Sequence, residues 1–337
     1  MAAPDDDIGS VRHWRGLDAL AGLARRLPAG TADDRALERW LVRQLGRTTD
    51  RAFARLFADH LDLPGIEERD YLHRVVETDG LRLLGGIRFY GQDVARPFVE
   101  LIAWTPLGGA DGRAPEGTTR HAPPFERLCA IVAHEWRAFA PGHLRVHLPQ
   151  IPAYLSAEAP PTLPSGTTTD VSVHLADVRE MNADTGTVGL ERFDDLAEAV
   201  ALVRTRFAAL RREDPALARD VTPSGADTLA ECDAAGSLFA IRVDDETVGL
   251  IATLAGAIDW IEGEVVVEEV IRTDRAGRGY ASAAQRALAS RLAREGRARR
   301  LSGTIDSANA ASRRSAERAG RPAVSRYAFV PLPPPPR

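Results

Sequence analysis

Between Pro149 and Thr169 the chain reads PQIPAYLSAEAPPTLPSGTTT, and neither a helix nor a central strand tolerates prolines at that density. The stretch divides the 337 residues into two halves, each long enough to bury its own core. The expected domains are residues 1–155 and 171–330, joined by a linker over 156–170 and followed by a proline-rich tail over 331–337. With 44% hydrophobic residues, folded halves rather than disorder are expected.

Periodicity gives both halves one order: helices, an antiparallel strand group, a helix, a strand. In the first half, helical spacing runs over 32–45 and 51–61, and strands over Leu81–Tyr90 and Phe98–Thr105. A Gly- and Pro-rich loop over 108–124 leads to a helix over Phe125–Phe139 and a strand over Leu144–Leu148. In the second half, strands are expected at Val171–Leu175, Leu238–Val243, Val248–Leu254, Glu264–Ile271, Leu301–Ile305 and Ser325–Val330. Helices are expected over Phe193–Arg211, Asp227–Cys232, Tyr280–Glu295 and Asn309–Ala319. A duplicated fold of α+β class follows: two tandem domains, each a mixed, mostly antiparallel sheet flanked by helices.

Charge and composition exclude several functions. The formal net charge of -5 argues against a nucleic-acid binder. Every basic side chain is arginine, so a Schiff-base lysine and a P-loop lysine are both ruled out. No apolar run approaches a membrane span, and the acidic MAAPDDDIGS start has no signal-like apolar region. Cys129 and Cys232 imply no disulfide framework. A soluble cytoplasmic protein with no nucleic-acid or membrane partner, monomeric or homodimeric, is expected. No metal site is expected: His134-Glu135 lacks the second histidine of a zinc helix, since position 138 is Ala. His143 and His147 read as structural. Trp40, Trp104 and Trp136 read as core, and Trp260 as a lining of an acceptor cleft.

The segment richest in chemistry is Ile271–Ala281, IRTDRAGRGYA, where a strand gives way to a helix. Gly277 and Gly279 let the backbone approach an anion, and the helix that follows aims free N–H groups at it. Arg275 and Arg278 could add charge-assisted contacts. A Rossmann turn would open a βαβ unit, whereas this one follows an antiparallel group. Downstream, Asn309 starts a helix in DSANAASRRSAERAG, where its side chain either caps the helix or bonds an amide-rich ligand.

Together these two segments resemble the GCN5-related N-acetyltransferase (GNAT) superfamily. Its R/Q-x-x-G-x-G/A motif matches Ala276-Gly277-Arg278-Gly279-Tyr280-Ala281, with Ala276 in place of the usual Arg or Gln. Its N-x-x-S/A…G segment matches Asn309, Ser312 and Gly320. The resemblance covers roughly residues 170–330. The first half has the element order without the motif, which is similar to a degenerate copy.

The resemblance implies acetyl-CoA, or another acyl-CoA, as co-substrate, with no metal. It implies a small-molecule amine as acceptor, with protein N-termini or a non-catalytic acyl-CoA-binding role as alternatives. The CoA contacts it implies are Val270, Ile271, Arg275, Gly277, Arg278, Gly279, Tyr280, Ala281, Asn309 and Ser312. It also places Glu268 and Glu269 beside the acyl group. Strand alternation puts these two on opposite faces, and a bulge decides which one reaches the acceptor; Glu268 is favoured. The family's usual acid, a tyrosine, is Ala316 here. That leaves Ser312, Ser315, Tyr327 or water to protonate the thiolate.

Overall fold

A computed structural model describes residues 34–78, 80–106, 125–149 and 163–333. The loop over 108–124, most of the proline cluster and the last four residues lie outside the described residues. The chain forms two compact units, residues 1–170 with 325–337, and residues 171–324.

The first unit contains α1 (Asp34–Gly46), α2 (Arg51–Ala58), β1 (Arg74–Thr78), β2 (Leu81–Phe89), β3 (Pro97–Pro106), α3 (Phe125–Glu135) and β4 (His143–Pro149). Helix α2 starts where Asp50 Oδ1 accepts the Ala52 and Phe53 N–H groups, at 2.9 and 3.2 Å. Apolar positions of β2, β3, β4 and α3 share one core around the fully buried Trp136. Strands β1–β2–β3 are antiparallel, and β3 and β4 are parallel over three residue pairs, from Phe98–His143 to Glu100–Arg145. Beyond these, β4 pairs with the last strand of the chain, β11 (Ala323–Pro331). Residues 325–330, expected with the second half, therefore belong to the first unit's sheet. Pro331 also lies in that strand rather than in a free tail.

The second unit begins with β5 (Thr168–Asp177), β6 (Gly189–Arg192), α4 (Leu196–Glu213), α5 (Pro215–Asp220), α6 (Ala226–Ala234) and β7 (Leu238–Val243). It continues with β8 (Glu246–Ile258), β9 (Ile261–Ile271), α7 (Tyr280–Glu295), β10 (Arg300–Asp306) and α8 (Ala310–Ala319). Its strand order is β5-β10-β9-β8-β7-β6, antiparallel except for β9 beside β10. One face of the sheet packs on α4 and α6 through Val203, Leu229 and Cys232, and the other packs on α7 through Ala284, Leu288 and Leu292. Strands β1 and β6 and helix α5 were not expected from the sequence. RVVET and GLER are too short and too polar for a clear alternation, and PALARD is a single short stretch between helices.

The strand that carries the functional segment is held in place by a close approach. Gly249 on β8 pairs with Ile271, the last residue of β9. A Cβ at Gly249 would run into the Val270 carbonyl oxygen and lie 2.8 Å from Ile271 Cδ1. Only glycine lets the two backbones meet there. Gly249→Ala is expected to cost about 1–3 kcal/mol of stability, the range for overpacking, read as a lower urea midpoint with unchanged slope.

Candidate active site at the fork of two strands

Parallel pairing of β9 with β10 lasts for only two residue pairs, Glu264–Leu301 and Val265–Ser302. Beyond them the strands separate. Two residues later β9 bulges. Thr253 of β8 pairs with Val266 and Ala252 pairs with Glu268, so Val267 is an extra residue without a partner. The bulge displaces the Val267 carbonyl from the ladder, and the Ser224 hydroxyl donates to it at 3.0 Å.

Just past the bulge, the two glutamates face different environments. Glu268 is 8% exposed, on the α4/α6 face. Its Oε2 accepts the Ser224 N–H at 2.8 Å, and its Oε1 accepts the Glu269 N–H at 3.2 Å. Burial pushes its pKa up, and the N–H groups of Ser224 and Glu269 hold the rise back. Glu269 faces α7, where its Oε2 accepts from Gln285 Nε2 at 2.8 Å. Its Oε1 is shielded from solvent and has no hydrogen-bond partner. Burial raises its pKa to about 7, against the pull of the Arg321 cation and the Gln285 amide, with Glu268 adding to the rise.

Strand β9 ends at Ile271, and the turn that follows is built to leave its amides free. Gly277 and Gly279 have φ of 77° and 82°, the left-handed region in which a side chain is strained. The Arg275 and Ala276 N–H groups close a short turn onto the carbonyls of Arg272 and Thr273. The N–H groups of Gly277, Arg278 and Gly279 donate to no described residue. Helix α7 starts at Tyr280 with no side-chain cap and no acidic residue in its first turn. The first amides of α7 precede its hydrogen-bond ladder, which begins when Ala283 N–H donates to Gly279 O at 3.0 Å. A row of unengaged donors at the positive end of a helix suits a diphosphate.

Not every expected contact is placed for an anion. Arg275 is turned away to Glu246 and Asp274, and Arg272 shares Glu246. Arg278 is exposed, with no ion pair to any described residue. The Asn309 side chain caps α8, its Oδ1 accepting the Ser312 N–H at 3.1 Å, which leaves its amide nitrogen for other partners. Ser312 and Ser315 are half-buried, and Ala316 is fully buried. Tyr327 lies in the first unit, its ring stacked on His147 at 4.3 Å and under Arg145 at 4.1 Å. Trp260, expected to line a cleft, is 1% exposed. Among the described residues no group of three His, Cys, Asp or Glu side chains could hold a metal ion, and no helix is long and apolar enough to cross a membrane.

Sequence reasoning passed over three residues. Ser224 lies in a Thr-Pro-Ser-Gly turn and carries no signal of its own. Gln285 was legible: it is a polar residue on the apolar stripe Ala281, Ala284, Leu288, and the structure buries it completely. Arg321, 2% exposed, follows the helix-ending Gly320 and looked like an ordinary terminal arginine.

Residues 192–321 match the model of the acetyltransferase (GNAT) domain family. That stretch of the second unit is a GNAT domain. Domains of this family transfer acyl groups from acyl-CoA. Among curated proteins no sequence relative matches the chain. Among solved structures, a GNAT-family acetyltransferase from Colwellia psychrerythraea is similar at 10% identity and a TM-score of 0.47, over 87% of this chain and 97% of that one. A GCN5-related N-acetyltransferase from Sphaerobacter thermophilus is similar at 14% and 0.48, over 97% and 92%. A tandem GNAT protein from the clavulanic acid biosynthesis pathway is similar at 14% and 0.44, over 98% and 95%. What assigns the domain is the match over 192–321.

The raised pKa of Glu269 has a stability consequence. Its folded value of about 7 lies above the ordinary 4.5. The folded protein therefore binds the extra proton between those values. The resulting stabilisation is complete below pH 4.5 and is lost as pH rises through 7. The wild-type urea midpoint should fall between pH 5 and 8 more steeply than that of Glu269→Gln, and parallel curves would refute the assignment.

Proposed function

We propose that the second unit is an acyl-CoA-dependent N-acyltransferase that moves acetyl from acetyl-CoA to a primary amine of a small molecule. The observation that carries this reading is the row of free amides at Gly277–Gly279 and the start of α7, placed at the end of the strand that forks from β10. The cradle takes the diphosphate, and the fork takes the acyl-bearing arm beside Val270 and Ile271. Both substrates are bound together, and the amine attacks directly.

In that attack the amine lone pair forms a C–N bond to the thioester carbon, and the C–S bond breaks with its electron pair leaving on sulfur. Glu268 takes the ammonium proton that otherwise blocks the attack. Its face is the one lined by α4 and α6, and the Ser224 N–H keeps its carboxylate in one orientation. A carboxyl whose pKa is raised by burial is a stronger base when ionised than a surface glutamate. Collapse of the tetrahedral adduct releases the thiolate, and the second nitrogen proton, lost as the amide forms, reaches the sulfur through water or through the hydroxyl of Ser312 or Ser315, since Ala316 supplies none.

That same Ala316, fully buried where the family resemblance puts a tyrosine, also favours a second reading: a domain that holds acyl-CoA without turning it over. Free-thiol release across a panel of small amines separates the two. Release accelerated by an amine supports transfer. Tight acetyl-CoA binding with no acceleration supports the binding role.

Gly279→Glu should abolish acetyl-CoA binding in a calorimetric titration, because it sets a carboxylate against the phosphates and strains a residue at φ 82°. Unchanged affinity would remove the cradle. Glu268→Gln should lower kcat by about 10²-fold or more, erase the acid limb of the pH–rate profile and leave acetyl-CoA affinity intact. A variant with the wild-type rate and profile would exclude Glu268 as the base.

A further inference from the structure

Arg321 is the one arginine among the described residues that is fully buried, yet it makes no ion pair with a carboxylate. Its Nε donates to Gln285 Oε1 at 3.3 Å, and Gln285 Nε2 passes the contact on to Glu269 Oε2 at 2.8 Å. Its Nη1 is buried and has no hydrogen-bond partner. The guanidinium lies against Gly303, where a Cβ would be 2.8 Å from Nη1 and 3.5 Å from Val266 Cβ. Val266 and Gly303 are the first residues beyond the last parallel pair, Val265–Ser302. The cation therefore lies over the sheet face at Gly303, beside the point where the strands part. Its backbone is anchored as well: the carbonyl of Arg321 meets the Nδ1 of the fully buried His174 at 3.0 Å, and the ring's Nε2 meets the Ser172 hydroxyl at 3.0 Å.

Burying an arginine is costly unless something recovers the loss. Burial lowers its pKa to about 10, which leaves it charged near neutrality, and Glu269 is the charge that opposes the fall. Such a group does not persist in an apolar core for packing alone.

We propose that Arg321 is a positioning residue of the acyl-CoA site: packed over Gly303 on the α7 face of the sheet, beside the point where β9 and β10 part, it braces that face and, through Gln285, fixes the carboxylate of Glu269 on the α7 side of the fork. The inference rests on the acyl-CoA reading of the second unit. The charged and titratable groups around Glu269 are Arg321, reached through Gln285 of α7, and Glu268 on the opposite face of its own strand; its β8 partner is the apolar Ile251. Removing Arg321 leaves the carboxylate with no cation to offset its burial.

The test is Arg321→Met, which keeps length without charge, alongside Arg321→Lys and Gln285→Met in the full chain. Two quantities are read: the acetyl-CoA dissociation constant, and the pH titration of side-chain carboxyl carbons by NMR, with Glu269→Gln identifying the Glu269 resonance. Arg321→Met should weaken acetyl-CoA binding at least tenfold while the amine KM changes little, and should move the Glu269 titration to higher pH. Arg321→Lys should recover part of both effects. Gln285→Met, which severs the link but keeps Arg321 over Gly303, should shift the titration and weaken binding less. A residue that merely packs would lower the melting temperature and leave the affinity of the folded fraction and the Glu269 titration unchanged, which would overturn the inference. If Arg321→Met does not fold, Gln285→Met decides: an unmoved Glu269 titration overturns it. Wild-type protein that does not bind acetyl-CoA would sink the functional reading instead, while the carboxyl titrations would still report on the Arg321–Gln285–Glu269 link.

Discussion

The second unit depends on a sheet that stops pairing before its strands end. A backbone peptide group buried without a partner is costly, so a parallel pair that parts after Val265–Ser302 needs other means of satisfaction along the opened edge. The chain supplies them locally. The extra residue Val267 turns its carbonyl to the Ser224 hydroxyl, and the glutamate that follows turns its carboxylate to the Ser224 N–H. The amides beyond the strand, at Gly277 to Gly279, find no partner among the described residues. A strand that leaves its parallel partner and ends in a turn with unengaged N–H donors is the feature on which the proposed diphosphate cradle rests.

The first unit has the same frame with different residues on it. Its parallel pair ends at Glu100–Arg145, and two residues later Ile102 is the extra residue, since Leu84 pairs with Ala103 and Gly85 with Leu101. In the second unit the extra residue likewise comes two positions after the last parallel pair. The two residues after the bulge are Ala103 and Trp104 in the first unit and Glu268 and Glu269 in the second. The edge at Glu100 is instead filled by ion pairs, Arg88 and Arg145 on Glu100 and Arg145 on Asp170. A bulge at a conserved offset is therefore a property of the backbone frame, and the pair of carboxylates is what distinguishes the second unit.

Much of this was legible in the sequence. The repeated element order, helix α7 with both its ends, and the glycine turn all follow from periodicity and from residues that have one common use. The bulge in β9 could be anticipated only through the family resemblance, because VVVEEVI reads as an unbroken strand. The destination of the final strand was not legible either. SRYAFV alternates well enough to be a strand, but alternation says nothing about which sheet receives it, and the pairing with β4 depends on non-local contacts. Arg275 illustrates a third kind of miss. Its place just before the glycine turn was visible, but its attachment to Glu246 depends on a strand neighbour 29 residues away.

Two adjacent carboxylates and one buried cation also constrain each other's charge. Glu268 raises the pKa of Glu269, and Arg321 alone among the neighbouring groups supplies a charge that lowers it. Near neutrality one cation cannot support two buried anions, so the pair is expected to retain one proton and titrate as a coupled unit. The hydrogen bonds decide where that proton resides. Glu268 accepts two backbone N–H groups, which favour its ionised form, whereas Glu269 accepts one amide and has an oxygen with no donor at all. The arrangement leaves Glu268 as the charged member on the α4/α6 face and Glu269 as the proton-bearing one toward α7. An adjacent pair that would be redundant on an exposed strand is thereby divided into one base and one neighbour that exchanges its proton around pH 7.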